Sequence, residues 1–567
     1  MGRTPLLVPL TGLVAGILAV ELLVGLPFWS VVIVLIIGVS GAFWRSGIFS
    51  YLLVFFALGW GAGYVNRPSE LPVVGLHDFA AEVLETRETG GNAMIGIVTV
   101  DSIDGCGCVP FNVTAEIIGH RNIIYPGQRI GFHSPMEPIE RVQSVEDVQA
   151  GSSAERRRQV VGFVMVLPDS LEFRGEADGV MPAMMRLNRD LAYRLSRADI
   201  SDGTFALLSA MLLGDKTGII EEERNAFSAA GISHLLALSG THVAVLLGLI
   251  SILMLPFAIS RRKLPGQLLS ILLLWVYAML TGMSPSVVRA VIMASVFLFG
   301  RIIERTSVPL NSLCMAAMII LFVSPTELFM PGFQMSFAAV GGIIIFYPLL
   351  NRIDRRRHPF LYLLWSYPAM SLAAMSLTSL ISAWYFHVFP LYFLLANMVA
   401  VPLLPLILGL GVVLLIAPHL DFVAVAADFF CGLLESVANG ISKQPEALVG
   451  DIYLPLWLTL LTVTMLVTFG VSLHKRHLSA AIASVMLICA SWSANYLMPP
   501  VFPETETFVV DGTAVTRNGN VVTVFADFRN EAERDYLYER FSRRLRHYSA
   551  RRGAILQIQC PKNVDPD

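Results

Sequence analysis

Thirteen apolar runs close to or above the roughly 18 residues that a helix needs to cross a lipid core recur along this chain, and no other feature limits its fold so severely. They fall near 5–26, 27–43, 48–65, 232–259, 266–283, 286–303, 308–324, 333–350, 361–385, 391–417, 420–440, 453–473 and 478–497. Some are short for a comfortable crossing, and 420–440 carries Asp421, Asp428 and Glu435, so about 11–13 spans are expected. The first is not read as a cleavable signal peptide, because further spans follow closely and no small-residue cleavage site stands out. Only 15% of the 567 residues are charged, against roughly 25% in soluble chains, while 55% are hydrophobic. Soluble cores cannot hide so much apolar surface, so lipid must solvate it. A soluble enzyme, a disordered hub and a secreted disulfide scaffold are excluded together. Cys314, Cys431 and Cys489 sit in apolar stretches and read as small core residues. Cys106 and Cys108 are poorly placed to bridge each other and too few for a metal site.

The positive-inside rule orients the spans. With Arg3 in the cytoplasm, the inward connections hold thirteen basic residues: Arg3, Arg45, Arg261, Arg262, Lys263, Arg301, Arg305, Arg352, Arg355, Arg356, Arg357, Lys475 and Arg476. The short outward connections hold one, Lys443. This split requires 420–440 to cross. It places residues 66–231 and 498–567 outside the cytoplasm, in a multi-pass protein of the bacterial inner membrane. The expected fold class is a polytopic α-helical membrane protein with an extracytoplasmic OB-like β-barrel insert and a small α+β C-terminal extracytoplasmic module. The expected division is 1–65, N-terminal membrane helices; 66–170, the OB-like insert; 171–204, an amphipathic interfacial helix; 205–497, the channel-type membrane domain; and 498–567, the tail.

The barrel expectation rests on strand-like runs at Met94–Val100, Phe111–Ile118, Gln128–Phe132 and Val160–Leu167, punctuated by Gly105, Gly107, Pro126 and Gly127. Such barrels often bind single strands. Residues 66–170 carry eight basic and fourteen acidic side chains, however, the wrong sign for an electrostatic nucleic-acid groove. A barrel that packs on and shapes a pore mouth is the plainer reading. Met181–Asp199 reads as an amphipathic helix, with Arg186, Arg189, Arg194 and Arg197 on one face and Met184, Met185, Leu187, Leu191 and Leu195 on the other. Its expected contact is with anionic lipid headgroups, ahead of a DNA-guiding surface. In the tail, strands are expected at Phe508–Val510, Val521–Phe525 and Ala554–Gln559, around a basic helix at Glu531–Ser549.

Residues 205–242 carry the most chemistry. Phe205–Leu213 is apolar but too short to span, and it ends in Gly214–Asp215–Lys216. Irregular backbone at membrane depth survives only where it is buried in protein or lines a wet cavity. Glu221–Phe227 reads as a short polar helix. A membrane helix is then expected to carry His234, Ser239, Gly240, Thr241 and His242 within an arc of roughly 140°, turned toward other helices or water. A Ser239–His242 nucleophile pair has little support, because no G-x-S-x-G elbow is present. Metal binding by His234 and His242 lacks a further ligand and a suitable spacing. Helix–helix hydrogen bonding is the plainer role, and pore lining the second.

Three further constellations share this character. Thr281–Gly282–Met283–Ser284–Pro285–Ser286 is a turn in which Ser284 and Pro285 suit the N-cap and first position of a helix. That helix carries Arg289 one turn into the bilayer, which is costly without a partner, water or snorkelling. Arg289 is therefore the best single contact for an anionic substrate, with an outward-snorkelling side chain as the alternative. Pro331–Gly332–Phe333–Gln334–Met335–Ser336 opens another helix with a buried amide. Asn397, ahead of Pro402 and Pro405, marks a span expected to be interrupted and to line a cavity.

Gly214–Asp215–Lys216 followed by Gly231–Ile232–Ser233–His234–Leu235–Leu236–Ala237–Leu238–Ser239–Gly240–Thr241–His242 resembles the signature of the ComEC competence channel family. So do Ser284–Pro285–Ser286 with Arg289–Ala290, Gly332–Phe333–Gln334–Met335–Ser336–Phe337, and Asn397 ahead of Pro402, in the same order. With the leading spans and insert, the resemblance covers roughly 1–500. Where family members carry Leu or a similar apolar residue, this chain has Thr241, which makes that face more polar. The resemblance implies an inner-membrane channel that passes single-stranded DNA into the cytoplasm during natural transformation. The lining residues carried over are Asp215, Lys216, His234, Ser239, Gly240, His242, Arg289, Gln334, Ser336 and Asn397. It also implies as partners membrane lipid, a DNA receptor, a separate nuclease and a cytoplasmic helicase or translocase; a homo-oligomer is compatible with the sequence.

Many family members end in a metallo-β-lactamase-like domain with a His-x-His-x-Asp-His cluster. Here about seventy residues follow Leu497 and His547 is their sole histidine, so no such nuclease is expected. No G-x-x-x-x-G-K-[ST] motif is present, so energy must come from a partner or the membrane potential. The expectation is a channel without catalytic residues, metal or cofactor. The competing readings are a transporter or flippase for another anionic or lipid-like substrate, and a membrane hydrolase using Asp215, His234 and His242.

Overall fold

A computed structural model describes residues 6–22, 34, 48–65, 75–88, 93–118, 124–138, 162–166, 170–256, 263–303, 308–450, 452, 454–497, 505–510, 513–518, 521–525, 534 and 555–559. Apart from residues 34 and 534, the expected span 27–43 and the expected tail helix 531–549 lie outside them, as do the inward basic residues Arg3, Arg45, Arg261, Arg262 and Arg305. The described helices are α1 (Leu7–Leu22), α2 (Ile48–Val65), α3 (Val180–Leu195), α4 (Asp202–Leu208), α5 (Glu221–Ala229), α6 (Gly240–Leu253), α7 (Lys263–Leu280) and α8 (Pro285–Ile302). They continue with α9 (Pro309–Val323), α10 (Pro331–Leu350), α11 (Pro359–Phe386), α12 (Phe393–Ile416), α13 (Asp421–Ser442), α14 (Leu456–His474) and α15 (Leu478–Leu497).

Six of these are long and apolar enough to cross a membrane: α8, α10, α11, α12, α14 and the Leu478–Asn495 part of α15. The protein is a multi-pass membrane protein. Six shorter apolar helical stretches accompany them, including Leu7–Val20, Tyr51–Val65, Gly240–Leu253 and Pro309–Val323. Where helix begins within an apolar run is set by turns that the sequence does not reveal. The 232–259 run is an example: its first residues form a 3₁₀ turn, Ser233–Leu235, and helix begins only at Gly240. The expected helix bearing both His234 and His242 is therefore corrected. α12 corrects a second expectation, being one continuous 24-residue helix with Pro402 and Pro405 inside it.

Helix starts follow local chemistry. Pro285, Pro309, Pro331 and Pro359 each occupy the first turn, where the missing N–H would have no intrahelical partner anyway. Close approach of α1 and α2 follows from glycine. A Cβ on Gly16 would lie 2.0 Å from the carbonyl oxygen of Phe56, and one on Gly59 2.1 Å from that of Leu13. Four-residue spacing of small side chains, Gly12/Gly16 and Gly59/Gly63, is the pattern that lets membrane helices touch backbone to backbone.

α13 carries Asp421, Asp428 and Glu435. Its buried stripe is Val423, Ala424, Ala427, Cys431, Leu434 and Ala438, while Phe422, Val425 and Phe429 are exposed. Asp428 turns inward: its Oδ1 accepts from the Ser201 N–H at 3.0 Å and the Ser201 hydroxyl at 2.9 Å, at the start of α4. A charge in this helix thus meets protein donors.

The insert is a six-stranded sheet of β1 (Gly75–Glu88), β2 (Ala93–Ile103), β3 (Cys106–Ile118), β4 (Gln128–Pro138), β5 (Gly162–Val166) and β6 (Leu171–Glu176), in order β1-β2-β3-β5-β4-β6. β1 also pairs with β4, antiparallel, from Gly75↔Met136 to Glu82↔Arg129. β2, β3 and β4 contain runs read from sequence and β5 lies within the fourth, Val160–Leu167; β1 and β6 were not among those runs. Phe79, Val83, Val98, Val113, Ile130 and Val164 form its buried core, each large side chain contributing about 1.5–3 kcal/mol by leaving water. Two short strands, β7 (Phe389–Pro390) and β8 (Leu448–Val449), pair antiparallel and join the loops before α12 and after α13. In the tail, β9 (Thr505–Val510), β10 (Thr513–Asn518), β11 (Val521–Phe525) and β12 (Ile555–Gln559) form a sheet in order β12-β11-β10-β9.

The insert meets the helices through α3. Glu176 of β6 accepts from Arg186 at 2.8 Å and Arg189 at 3.0 Å. The Arg189 guanidinium also lies 5.3 Å from the Tyr125 ring centroid. These two guanidiniums hold the Glu176 carboxyl below the usual carboxylate range. The arginines read as a lipid- or DNA-facing stripe thus divide: Arg186 and Arg189 bind the sheet, and Arg194 and Arg197 are exposed.

Candidate functional site

α4 ends in a π-helical turn, Ser209–Leu213, whose five residues are all buried. Gly214 then adopts φ +83°, and a Cβ there would come within 2.9 Å of Leu238. That contact sets the Asp215 turn beside the residue preceding Ser239. Asp215 closes its own turn, accepting from the Thr217 N–H at 3.0 Å and the Thr217 hydroxyl at 2.7 Å. Lys216 projects outward and is exposed.

Ser239 is the N-cap of α6. Its N–H donates to Nδ1 of His242 at 3.2 Å, and its hydroxyl lies 2.8 Å from the same nitrogen and 2.5 Å from Thr241 Oγ1. Because Nδ1 accepts a backbone N–H, the ring proton resides on Nε2. Nε2 is buried without a hydrogen-bond partner. His242, 1% exposed, borders a cavity of about 120 Å³ whose other walls are apolar, among them Met211, Leu246, Tyr277 and Leu408. The polar cluster read as one face of a helix is therefore a cap, its histidine turned inward; His234, in the preceding 3₁₀ turn, is exposed.

A Cβ on Gly240 would lie 3.9 Å from that of Ala290 on α8, so the second motif runs alongside. Ser284 caps α8 and Pro285 opens it, as the sequence implied, although the Ser284 hydroxyl makes no capping bond. Arg289 lies one turn in and is buried. Its Nη1 donates to Glu327 Oε2 at 3.2 Å, both side chains 7% exposed, and its Nε donates to Ser336 Oγ at 3.3 Å. Glu327 sits in the 3₁₀ turn Pro325–Phe329. A Cβ on Gly332 would lie 3.0 Å from the guanidinium, and Gln334 Nε2 donates to the Leu328 carbonyl at 3.0 Å. The Gly332–Ser336 motif thus holds an ion pair together. Glu327 was not anticipated, although it is the lone carboxylate across the apolar 308–350 stretch and the natural partner for a buried arginine.

Asn397 stands apart from this group. It is buried on α12, and its Oδ1 lacks a partner. The start of its helix lies against Gly231, where a Cβ would come within 2.7 Å of Phe393 and 2.9 Å of Pro390. Four close approaches therefore link the motifs: the Asp215 turn to Leu238, Ser239–His242 to Ala290, Arg289 to Gly332–Ser336, and Gly231 to the start of α12. Among the described residues, no group of three or more His, Cys, Asp or Glu side chains is arranged to hold a metal ion.

Residues 211–476 match the family described as Competence protein. This stretch is a competence-family domain. ComE operon protein 3 of Bacillus subtilis (strain 168) is 27% identical over 312 residues, covering 54% of this chain and 39% of that protein. An uncharacterized protein, YcaI, of Escherichia coli (strain K12) is 26% identical over 341 residues, covering 56% and 43%. The chain thus matches about two-fifths of the length of these curated relatives. No solved structure matches it. The competence domain runs from the π turn through α14, so every motif just described lies inside it, while the β-sheet insert and α3 precede it.

Proposed function

We propose that the protein is an inner-membrane channel that passes single-stranded DNA into the cytoplasm during natural transformation. The observation that carries this reading is the competence-family match over 211–476, a stretch in which the linked polar motifs sit among membrane helices. Asp215, Lys216, His234, Ser239, Gly240, His242, Gln334, Ser336 and Asn397 contribute the path. Arg289 acts from behind it, its charge met by Glu327. A strand with about one charge per nucleotide needs a polar lining that replaces hydration without trapping it. Exposed Lys216 and His234 suit the entrance, and the small Ser239–Gly240–Thr241 cap leaves room for a backbone to pass.

The insert fits the same reading as an OB-like module at the mouth. Its pairings run β1–β2–β3–β5–β4 and return from β4 to β1, the order that supports an OB-type arrangement. Its acidic composition favours shaping the entrance over binding DNA. On this reading the N-terminus is cytoplasmic, and the insert and tail face outward, where a DNA receptor and a separate nuclease would act; a helicase or translocase would draw the strand from inside.

The test is a clean deletion in a transformable host, complemented with the full chain. Labelled DNA should become resistant to added nuclease in complemented cells and stay outside in the deletion strain. Normal uptake and transformation in the deletion strain would sink the reading. A phenotype confined to lipid or envelope composition would favour a transporter or flippase instead.

A further inference from the structure

Two buried helical ends lie side by side at the start of the competence domain, and each must dispose of carbonyls that no longer have an intrahelical donor. The π turn ends at Leu213 and α7 ends at Leu280. Leu212 O accepts from the Tyr277 hydroxyl at 3.1 Å. Leu213 O and Leu280 O both accept from a single atom, Asn188 Nδ2, each at 2.9 Å. Each end leads through a left-handed glycine, Gly214 at φ +83° and Gly282 at φ +71°, into a motif-bearing turn. One holds Asp215 and Lys216, and the other holds Ser284 and leads to Arg289.

We propose that Asn188 is a positioning residue for this site, fixing the Asp215–Lys216 turn against the Thr281–Ser286 turn; its consequence for DNA passage rests on the channel reading above. The chemistry selects the amide. Only an NH₂ group offers two diverging hydrogens on one short side chain, so that two carbonyls from separate elements share one donor. A hydroxyl has one hydrogen, and a carboxylate of the same shape has none and would face both oxygens with like partial charge. Asn188 also lies on the helix whose Arg186 and Arg189 grip Glu176 of the sheet. One element thus holds the insert at one side and both turns at the other.

The test compares full-length wild type with Asn188→Asp, which keeps the shape and removes both donors, and with the milder Asn188→Ala. In membranes, hydrogen exchange over 209–217 and 278–286 should be about tenfold faster in Asn188→Asp and severalfold faster in Asn188→Ala, because two buried acceptors lose their donor. In a host whose deletion strain fails to take up DNA, maximal uptake should fall in the same order at an unchanged half-saturating DNA concentration. Wild-type exchange in Asn188→Asp would overturn the proposal, since a packing role tolerates the isosteric side chain. Faster exchange with undiminished uptake would also overturn the positioning role. If the deletion strain itself takes up DNA normally, the channel reading fails, and the exchange result alone then decides whether Asn188 sets the turns.

Discussion

Arg289 of α8 and Glu327 of the turn before α10 form a buried ion pair at 3.2 Å, each side chain 7% exposed. The arginine that stood out in sequence as the best contact for an anionic substrate is already neutralised by the protein. Its cost in a low-dielectric setting is offset by Glu327 and by Ser336, which accepts from Nε. Its role is to pin α8, the 325–329 turn and α10 together.

Breaking that pair from one side leaves a charge buried alone. Arg289→Ala and Glu327→Ala should each lower stability by about 3–5 kcal/mol. The double replacement Arg289→Met with Glu327→Leu should cost less than either single change, because no uncompensated charge remains. Equilibrium unfolding in mixed micelles measures this, and a double mutant that is as unstable as the sum of the singles would refute the pairing.

Gly16 and Phe56 supply a second expectation. A Cβ on Gly16 would sit 2.0 Å from the Phe56 carbonyl oxygen, and backbone cannot swing aside as a side chain does. Gly16→Val should separate α1 from α2 at a cost of about 3 kcal/mol, the upper part of the usual overpacking range. Thermal unfolding should show the loss, and a cysteine cross-link between the two helices should weaken in parallel.

The Glu176 contacts give a pH dependence with a definite sign. Arg186 and Arg189 lower the Glu176 pKa in the folded protein. The stabilisation is therefore fully present above the ordinary glutamate value of about 4.3 and disappears as pH falls through the lower folded value. Exchange protection of Val180–Leu195, corrected for intrinsic rate, should be flat from neutral pH to about 5 and decline below about 4. Glu176→Gln should show the loosened helix already at neutral pH. A decline centred near pH 6 would point to a different group.

Asp428 and Ser201 test how α13 tolerates charge. Asp428→Ala removes the acceptor of both the Ser201 N–H and its hydroxyl, which should cost about 1–3 kcal/mol and speed exchange at the start of α4. Asp428→Asn retains one acceptor oxygen and should recover part of that loss. Equal behaviour of the two variants would mean that the carboxylate is not the cap.

Asp215, Ser239, His242, Arg289 and Gln334 could be singled out as candidates before the fold was known, because they are polar residues in or beside apolar runs. Their roles could not be. Periodicity alone turned 232–259 into one helix, whereas Ser239 ends a turn and starts α6; a cap and a helix face look alike until the N–H groups are counted. Proline at 402 and 405 argued for a break in α12, yet the helix runs on. Asn188 escaped notice because it is one polar residue among others on an amphipathic helix, and Glu327, though the lone carboxylate of its apolar stretch, carries no mark that pairs it with Arg289.

The amino-acid sequence by itself determined that lipid solvates this chain, that helices carry most of it, that a β-rich insert interrupts them and that the competence motifs follow. These follow from composition, run length and local spacing, which are properties of contiguous residues. Only the tertiary structure decided that Arg289 meets Glu327, 38 positions away, and that Asn188 reaches Leu213 and Leu280, 25 and 92 positions away. The reason is physical. A buried charge or carbonyl needs a partner but does not specify where along the chain it comes from, and only the packing of the helices makes that choice.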